Sequence, residues 1–160
     1  VNTPWRKDGI LDNSVVSKLL PPEELRNSKA YALLECVENI PCDPCTRACP
    51  FKAITMEHIT DLPQINWDRC TGCALCVMAC PGLAIFIIDE TTDPAKVTVP
   101  YEMLPLPEVG EEVKLLSRRG EVIGKGKVLK LKVSKNKTYA VTVEVPRERV
   151  HDVRAIRCIK

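Results

Sequence analysis

Residues 70–81 read C-T-G-C-A-L-C-V-M-A-C-P, four thiols separated by two, two and three residues and closed by a proline. The phrase has an earlier copy. C-D-P-C-T-R-A-C-P-F-K-A-I at 42–54 aligns with C-A-L-C-V-M-A-C-P-G-L-A-I at 73–85, so both halves read C-x2-C-x2-A-C-P-x2-A-I at an offset of 31 residues. Such self-similarity marks an internal repeat. An apolar stretch ending at a further cysteine precedes each copy, A-Y-A-L-L-E before Cys36 and Q-I-N-W-D-R before Cys70. A short β-prone run follows each, A-I-T-M and A-I-F-I-I. The pattern predicts strand, cysteine loop, short helical turn, proline and strand, twice over. One irregularity stands out: five residues, V-E-N-I-P, separate Cys36 from Cys42, where the second copy has only two between Cys70 and Cys73.

Outward from the repeat, the 160 residues suffice for one ordinary domain or two small ones. Apolar content of 45% against 28% charged is a soluble, globular balance, and aromatics at 4% are too few for a base-stacking platform. Nine cysteines, eight of them between 36 and 80, form an odd and crowded set that argues against a pure disulfide framework. The longest strong apolar run, L-A-I-F-I-I at 83–88, is too short to span a bilayer, and no apolar leader follows a basic segment. These features lead to the expectation of a cytoplasmic protein whose reduced thiols bind metal.

Charge divides the chain. Residues 1–110 carry 9 Lys/Arg against 15 Asp/Glu, net −6, whereas 111–160 carry 14 against 6, net +8. Together with the patterning, this predicts an α+β chain in four parts. Residues 1–29 form an N-terminal arm in which P-P-E-E starts a short helix, and 30–90 hold the repeat. Residues 91–110 read as an extended Pro-rich connector, and 111–160 as a small basic β domain, barrel-like or rolled, with turns at R-R-G-E and S-K-N-K. Gly124 and Gly126 within a strand pattern predict a bulge or corner.

The C-x2-C-x2-C-x3-C-P run at Cys70, Cys73, Cys76, Cys80 and Pro81 is the bacterial spacing for cubane iron–sulfur clusters, in which the fourth thiol serves the neighbouring cluster. Zinc ribbons use C-x2-C pairs but need neither the third thiol at that spacing nor the Cys-Pro endings. Cys158 lies outside both copies and reads as a small apolar residue of the last strand. His58 and His151 lack the Cys-His spacing of a Rieske site.

Residues 30–90 therefore resemble a bacterial-type two-[4Fe-4S] ferredoxin domain, and the resemblance implies its pseudo-twofold fold. Carried over, it assigns Cys70, Cys73, Cys76 and Cys49 to one [4Fe-4S] cluster, and Cys42, Cys45 and Cys80 to the other. Cys36 is the thiol upstream of Cys42 and takes the remaining corner as a displaced first ligand. The combination of E-C-V-E-x-I-P-C-x-P-C, C-P-G-L-A-I-F, P-Y-E-M-L-P-L-P-E-x-G-E-E-V and a basic β tail resembles the small iron–sulfur subunits of FAD-dependent amino-acid, proline, hydroxyproline or opine-type dehydrogenase complexes. It implies an electron-transfer subunit, not an enzyme on its own, with FAD or FMN in partner dehydrogenase subunits. Two other readings compete. The lysines at 125, 127, 130, 132, 135 and 137 would suit nucleic acid, but alternate lysines are the usual solvated face of a strand and only Tyr139 is nearby for stacking. A free ferredoxin with an appended domain is the other, and it would purify without flavin.

Overall fold

The computed structural model describes residue 3 and residues 5–159. The 31-residue offset reappears in it. The short helices α4 (Pro44–Ala48) and α5 (Leu75–Ala79) sit at equivalent positions of the two copies. Pro44 occupies the first turn of α4, where its missing N–H has no intrahelical role to lose. Each copy contributes one strand before its cysteine loop, β1 (Tyr31–Leu34) or β3 (Gln64–Ile65), and one after it, β2 (Ile54–Thr55) or β4 (Ile85–Asp89). The pairing interlaces the copies: β1 runs antiparallel to β4, and β2 antiparallel to β3. Neither copy forms a sheet by itself.

Beyond the repeat come β5 (Ala95–Tyr101), β6 (Glu112–Leu116), β7 (Val122–Val133), β8 (Tyr139–Val145), a single 3-10 turn at Arg147–Arg149 and β9 (Ala155–Cys158). One seven-stranded sheet of order β1-β4-β5-β8-β7-β6-β9 joins them to the repeat, every pair antiparallel. Two expectations change here. The β tail does not close into a barrel, because β8 gives one edge to β7 and the other to β5 along all seven residues of β5. The first half of the Pro-rich stretch is not a connector but this central strand: Ala95, Val97 and Val99 are fully buried. Pro100 sits near its end, where a lost ladder donor costs least. Residues 102–110 carry no regular structure and leave Leu104 84% exposed.

The first two strands of the sheet are buried on both faces, which explains why Y-A-L-L and I-F-I-I are continuous apolar runs and not alternating ones. Tyr31, Leu33, Phe86 and Ile88 join the larger core with β5 to β9, while Ala32, Leu34, Ile85 and Ile87 face the cysteine layer with Ala74, Val77 and Met78. The arm adds helices α1 (Trp5–Asp8), α2 (Asn13–Leu19, capped by Asp12 through Val15 N–H at 3.1 Å) and α3 (Glu23–Arg26). Leu19, Leu20 and Leu25 pack on the larger core, so the arm is held by borrowed burial. The expected corner lies where β6 and β7 shift register opposite Leu115 and Leu116. A Cβ on Gly126 would lie 2.1 Å from the Glu144 carbonyl oxygen, so only glycine permits that approach of β7 to β8.

Charged groups fix the layers to one another. Glu35, at the end of β1, accepts from Arg118 on both oxygens and from Arg154 Nε at 2.8 Å, and all three side chains are buried or nearly so. Arg154 also lies over the Phe86 ring, 5.1 Å from its centroid. Close by, Glu90 at the end of β4 accepts from Tyr31 Oη at 2.7 Å and lies 3.5 Å from Arg26 and 3.4 Å from His151.

Candidate metal centres

Eight cysteines gather into two rings, each drawing three thiols from one copy of the repeat, or from its upstream cysteine, and one from the other. Cys36, Cys42, Cys45 and Cys80 line one cavity (site 1) of about 390 Å³ including its mouth. Cys49, Cys70, Cys73 and Cys76 line a second (site 2) of about 320 Å³. The exchange follows from the short helices. Within a copy, the cysteines before and inside the helix face one cavity, while the one at its C-terminal end (Cys49 after α4, Cys80 after α5) faces the other. V-E-N-I-P is a detour that still returns Cys36 to its ring; Glu38 and Ile40, both from that loop, line site 1. Cys158 is far from both rings in its contacts. It is buried at the edge of the larger core, where its thiol donates to the Pro105 carbonyl at 3.3 Å and lies 3.6 Å from Tyr101 Oη.

The thiols ring a volume; among the described residues, no three His, Cys, Asp or Glu side chains converge to hold a single metal ion. Burial first, then the neighbouring thiols Cys80, Cys42 and Cys36, push Cys45 up to about 11. Burial and then Cys70, Cys73 and Cys49 push Cys76 up to about 12. Cys36 is raised for the same reasons, burial first and then Cys80 and Cys42. A multiply charged cation in the ring would offset the cost of ionising such thiols, because metal binding and thiol deprotonation are linked. An all-sulfur donor set of four per ring is the complement that a cubane takes from a protein. The residues fit that group.

Main-chain donors serve the sulfurs as well. Ala53 N–H points to Cys49 Sγ at 3.4 Å, Ala84 N–H to Cys80 Sγ at 3.5 Å, and Ala32 N–H to Cys70 Sγ at 3.4 Å. The last contact is topological. Strand β1 lies at the sheet edge, and its outward Ala32 N–H would have no ladder partner; Cys70 takes the N–H and Trp67 Nε1 donates to the Ala32 carbonyl at 3.0 Å. Gly72, at φ 71°, lets the Cys70–Cys73 loop lie against β1, where a Cβ would meet that of Ala30 at 3.2 Å. Residues from outside the repeat complete the frame. Lys29 Nζ donates to the carbonyls of Trp67 (2.5 Å) and Cys70 (3.0 Å). Lys132 Nζ donates to the carbonyl of Cys73 (2.9 Å), and Asn136 to that of Met78 (3.1 Å). Sequence reasoning placed Lys132 on a solvated basic hairpin and did not single out Lys29. Lys125, Lys127, Lys130, Lys135 and Lys137 are indeed exposed.

Residues 63–86 match the family of 4Fe-4S binding domains, so the ferredoxin-type resemblance of the second copy is borne out. Curated relatives carry related names. The chain is 40% identical over 47 residues to the polyferredoxin-like subunit of aliphatic sulfonate oxidoreductase from Pyrococcus furiosus, 29% of this chain and 27% of that one. It is 42% identical over 59 residues to a subunit of tetrathionate reductase from Salmonella typhimurium, 36% and 23% of the two chains. Over 113 residues it is 30% identical to a subunit of selenate reductase from Mesobacillus selenatarsenatis, 66% of this chain and 37% of the relative. The chain thus spans well under half the length of these relatives. No solved structure is significantly similar to the chain. Among the described residues no helix is long and apolar enough to cross a membrane.

Proposed function

We propose that the chain is a dicluster iron–sulfur subunit that carries single electrons for a partner enzyme and performs no substrate chemistry itself. Site 1 would hold one [4Fe-4S] cluster on Cys36, Cys42, Cys45 and Cys80; site 2 would hold the other on Cys49, Cys70, Cys73 and Cys76. The observation that carries the reading is the exchange of fourth thiols between the two rings, each of four sulfurs. When bound, such a group stores and releases one electron with little change of geometry. The chain's own contribution is to hold the thiolates at fixed corners, to direct N–H groups at the sulfurs, and to cover site 2 with the apolar side chains of Ala32, Ile54, Ile65 and Ile87.

The partner on this reading is a flavin-containing dehydrogenase subunit, and the assembly is a hetero-oligomer. Support comes from the whole-chain sequence resemblance and from relatives whose names make them subunits of an oxidoreductase and of two reductases. The exposed lysines of β7, with their net positive tail, suit an acidic partner surface and fast docking at low salt. Anaerobic purification from the native source, with iron, sulfide and flavin analysis, is the test. About eight iron and eight sulfide per chain are expected, with flavin in a co-eluting subunit. Stoichiometric zinc without labile sulfide would refute the metal reading. Elution as a lone iron–sulfur protein would refute the subunit reading. Cys36→Ala is expected to cost the iron of site 1 and spare that of site 2; an unchanged iron content would remove Cys36 from the ring.

A further inference from the structure

We infer that the two sites are electrostatically graded, with the ring of Cys49, Cys70, Cys73 and Cys76 holding its electron at the higher potential. The inference rests on the two-cluster reading and goes beyond it to an order between the clusters.

Three properties of a protein set the potential of such a group: burial, hydrogen bonds to sulfur, and nearby charge. Burial is matched, and hydrogen bonding leans to the second ring by one donor. In each ring one thiol is buried, Cys45 or Cys76, and the other three are half-buried. Among the described residues, main-chain N–H groups within hydrogen-bond distance of a ring sulfur number one in site 1 and two in site 2. In site 1 the Ala84 N–H lies 3.5 Å from Cys80 Sγ, and in site 2 the Ala32 and Ala53 N–H groups lie 3.4 Å from Cys70 Sγ and Cys49 Sγ.

Charge is not matched. The Lys29 and Lys132 ammonium groups are both half-buried and bound to the carbonyls of Cys70 and Cys73, two ligands of the second ring. Among the described residues, the lining of that cavity contains no carboxylate. The lining of the first contains two, Glu38 and Asp61. Of these, Glu38 accepts from Trp5 Nε1 at 2.6 Å and is shared with Arg6 at 3.4 Å in an exposed pair, while Asp61 accepts the His58 main-chain N–H at 2.8 Å. Asp43, at the start of α4, and Arg47, within it, line neither cavity and form a mutual pair at 2.7 Å. Adding an electron adds one negative charge. Two cations close to one ring favour that charge there, and Asp61, the carboxylate lining the other that is not shared with an arginine, opposes it. Because the cations are half-buried, salt screens them less than it would surface charges. The grading runs toward the β7–β8 hairpin, since Lys132 and Asn136 of that hairpin hold the loop and helix that carry the second ring.

Glutamine at Lys132 or Lys29 keeps an N–H donor for the carbonyl and removes the charge, which separates electrostatics from positioning. EPR-monitored redox titration of the anaerobic protein reads the result, with Cys36→Ala identifying which signal belongs to site 1. Lys132→Gln and Lys29→Gln should each lower the potential of site 2 alone. The shift expected is about tenfold in the reduced-to-oxidised ratio at a fixed potential, about 59 mV for one electron. Asp61→Asn should raise the potential of site 1 alone. Equal potentials in the wild type, a lower potential at the lysine-flanked ring, or glutamine variants that leave site 2 unmoved would each overturn the grading. If Lys132→Gln fails to fold by circular dichroism, Lys29→Gln and Asp61→Asn decide on their own. Iron and sulfide analysis separates the two levels of failure. About eight of each per chain with unmoved potentials rejects the grading alone; about four rejects the two-cluster reading and the grading with it.

Discussion

Glu35→Gln should destabilise the whole chain, and site 1 first. The Glu35 side chain is 8% exposed and bonds both Arg118 and Arg154, which are 12% and 4% exposed. Burial by itself would raise the Glu35 carboxyl, but the hydrogen bond from Arg118 and the charges of both arginines outweigh it and hold the group below its usual range. Glutamine keeps the shape but takes the counter-charge away from two buried guanidinium groups. Removing one partner of a buried ion pair typically costs about 3–5 kcal/mol. For a chain of this size, a loss of about 3 kcal/mol corresponds to a fall in melting midpoint of roughly 6–12 °C. Glu35 N–H also closes the β1–β4 ladder on the Ala84 carbonyl at 2.8 Å, immediately before Cys36. Thermal unfolding under anaerobic conditions, followed by far-ultraviolet circular dichroism and by visible absorbance, should therefore show absorbance lost at or below the backbone transition. Arg6→Gln is the control: its pair with Glu38 is exposed on both sides and should be worth less than about 1 kcal/mol. A Glu35→Gln midpoint as close to wild type as that of Arg6→Gln would refute the reasoning.

Cys158→Ser should leave iron and sulfide content unchanged, since the thiol bonds Tyr101 and Pro105 and no ring; lost iron would place it in one. A fragment ending at residue 110 should be insoluble, because it exposes the edge of β5 that β8 covers along seven residue pairs; a soluble, iron-loaded fragment would show that the repeat folds without the tail. Stability should fall on acidification in part through Glu90. Burial opposes its charge, but His151, Tyr31 and Arg26 hold its carboxyl below the usual value. A depressed carboxylate contributes above the unfolded pKa and loses that contribution as pH drops through the folded one. Urea midpoints measured across the acid range should thus decline less steeply in Glu90→Gln than in wild type, and identical slopes would dismiss the group.

What could be read in the sequence divides according to how local its cause is. Ligand spacing is local: three thiols two residues apart and a fourth before proline specify a loop, one helical turn and a stop, and α4 and α5 fall 31 residues apart as the repeat requires. The strands of the β tail were equally legible, since period-two alternation puts Gly126 and Val128 inside and Lys125 and Lys127 outside on β7, until the register shift after Val128 turns Lys130 outward. Strand β5 was hidden by composition. Prolines at 94, 100, 105 and 107 make 91–110 look like a linker, yet V-T-V between them alternates and pairs with β8. Closure of the sheet was not legible at all, because it depends on whether β8 spends its second edge on its own domain or on β5.

The same distinction governs the chemistry. Which cysteines are bound to meet follows from neighbours in sequence, but what surrounds them comes from contacts across the fold. Lys132 reaches Cys73 over 59 residues and Lys29 reaches Cys70 over 41, and Arg118 and Arg154 reach Glu35 over 83 and 119. In the fold the main-chain donors at the ring sulfurs differ by one, and the larger difference lies in charges brought in by the arm and by the β7–β8 hairpin. The segments added to the repeat therefore do more than surround it. They pin cations to the loop of Cys70 and Cys73 and leave Asp61 beside Cys36, so that, on the two-cluster reading, a near-symmetric pair of rings would have two unequal ends and an electron shared between them a preferred place to rest.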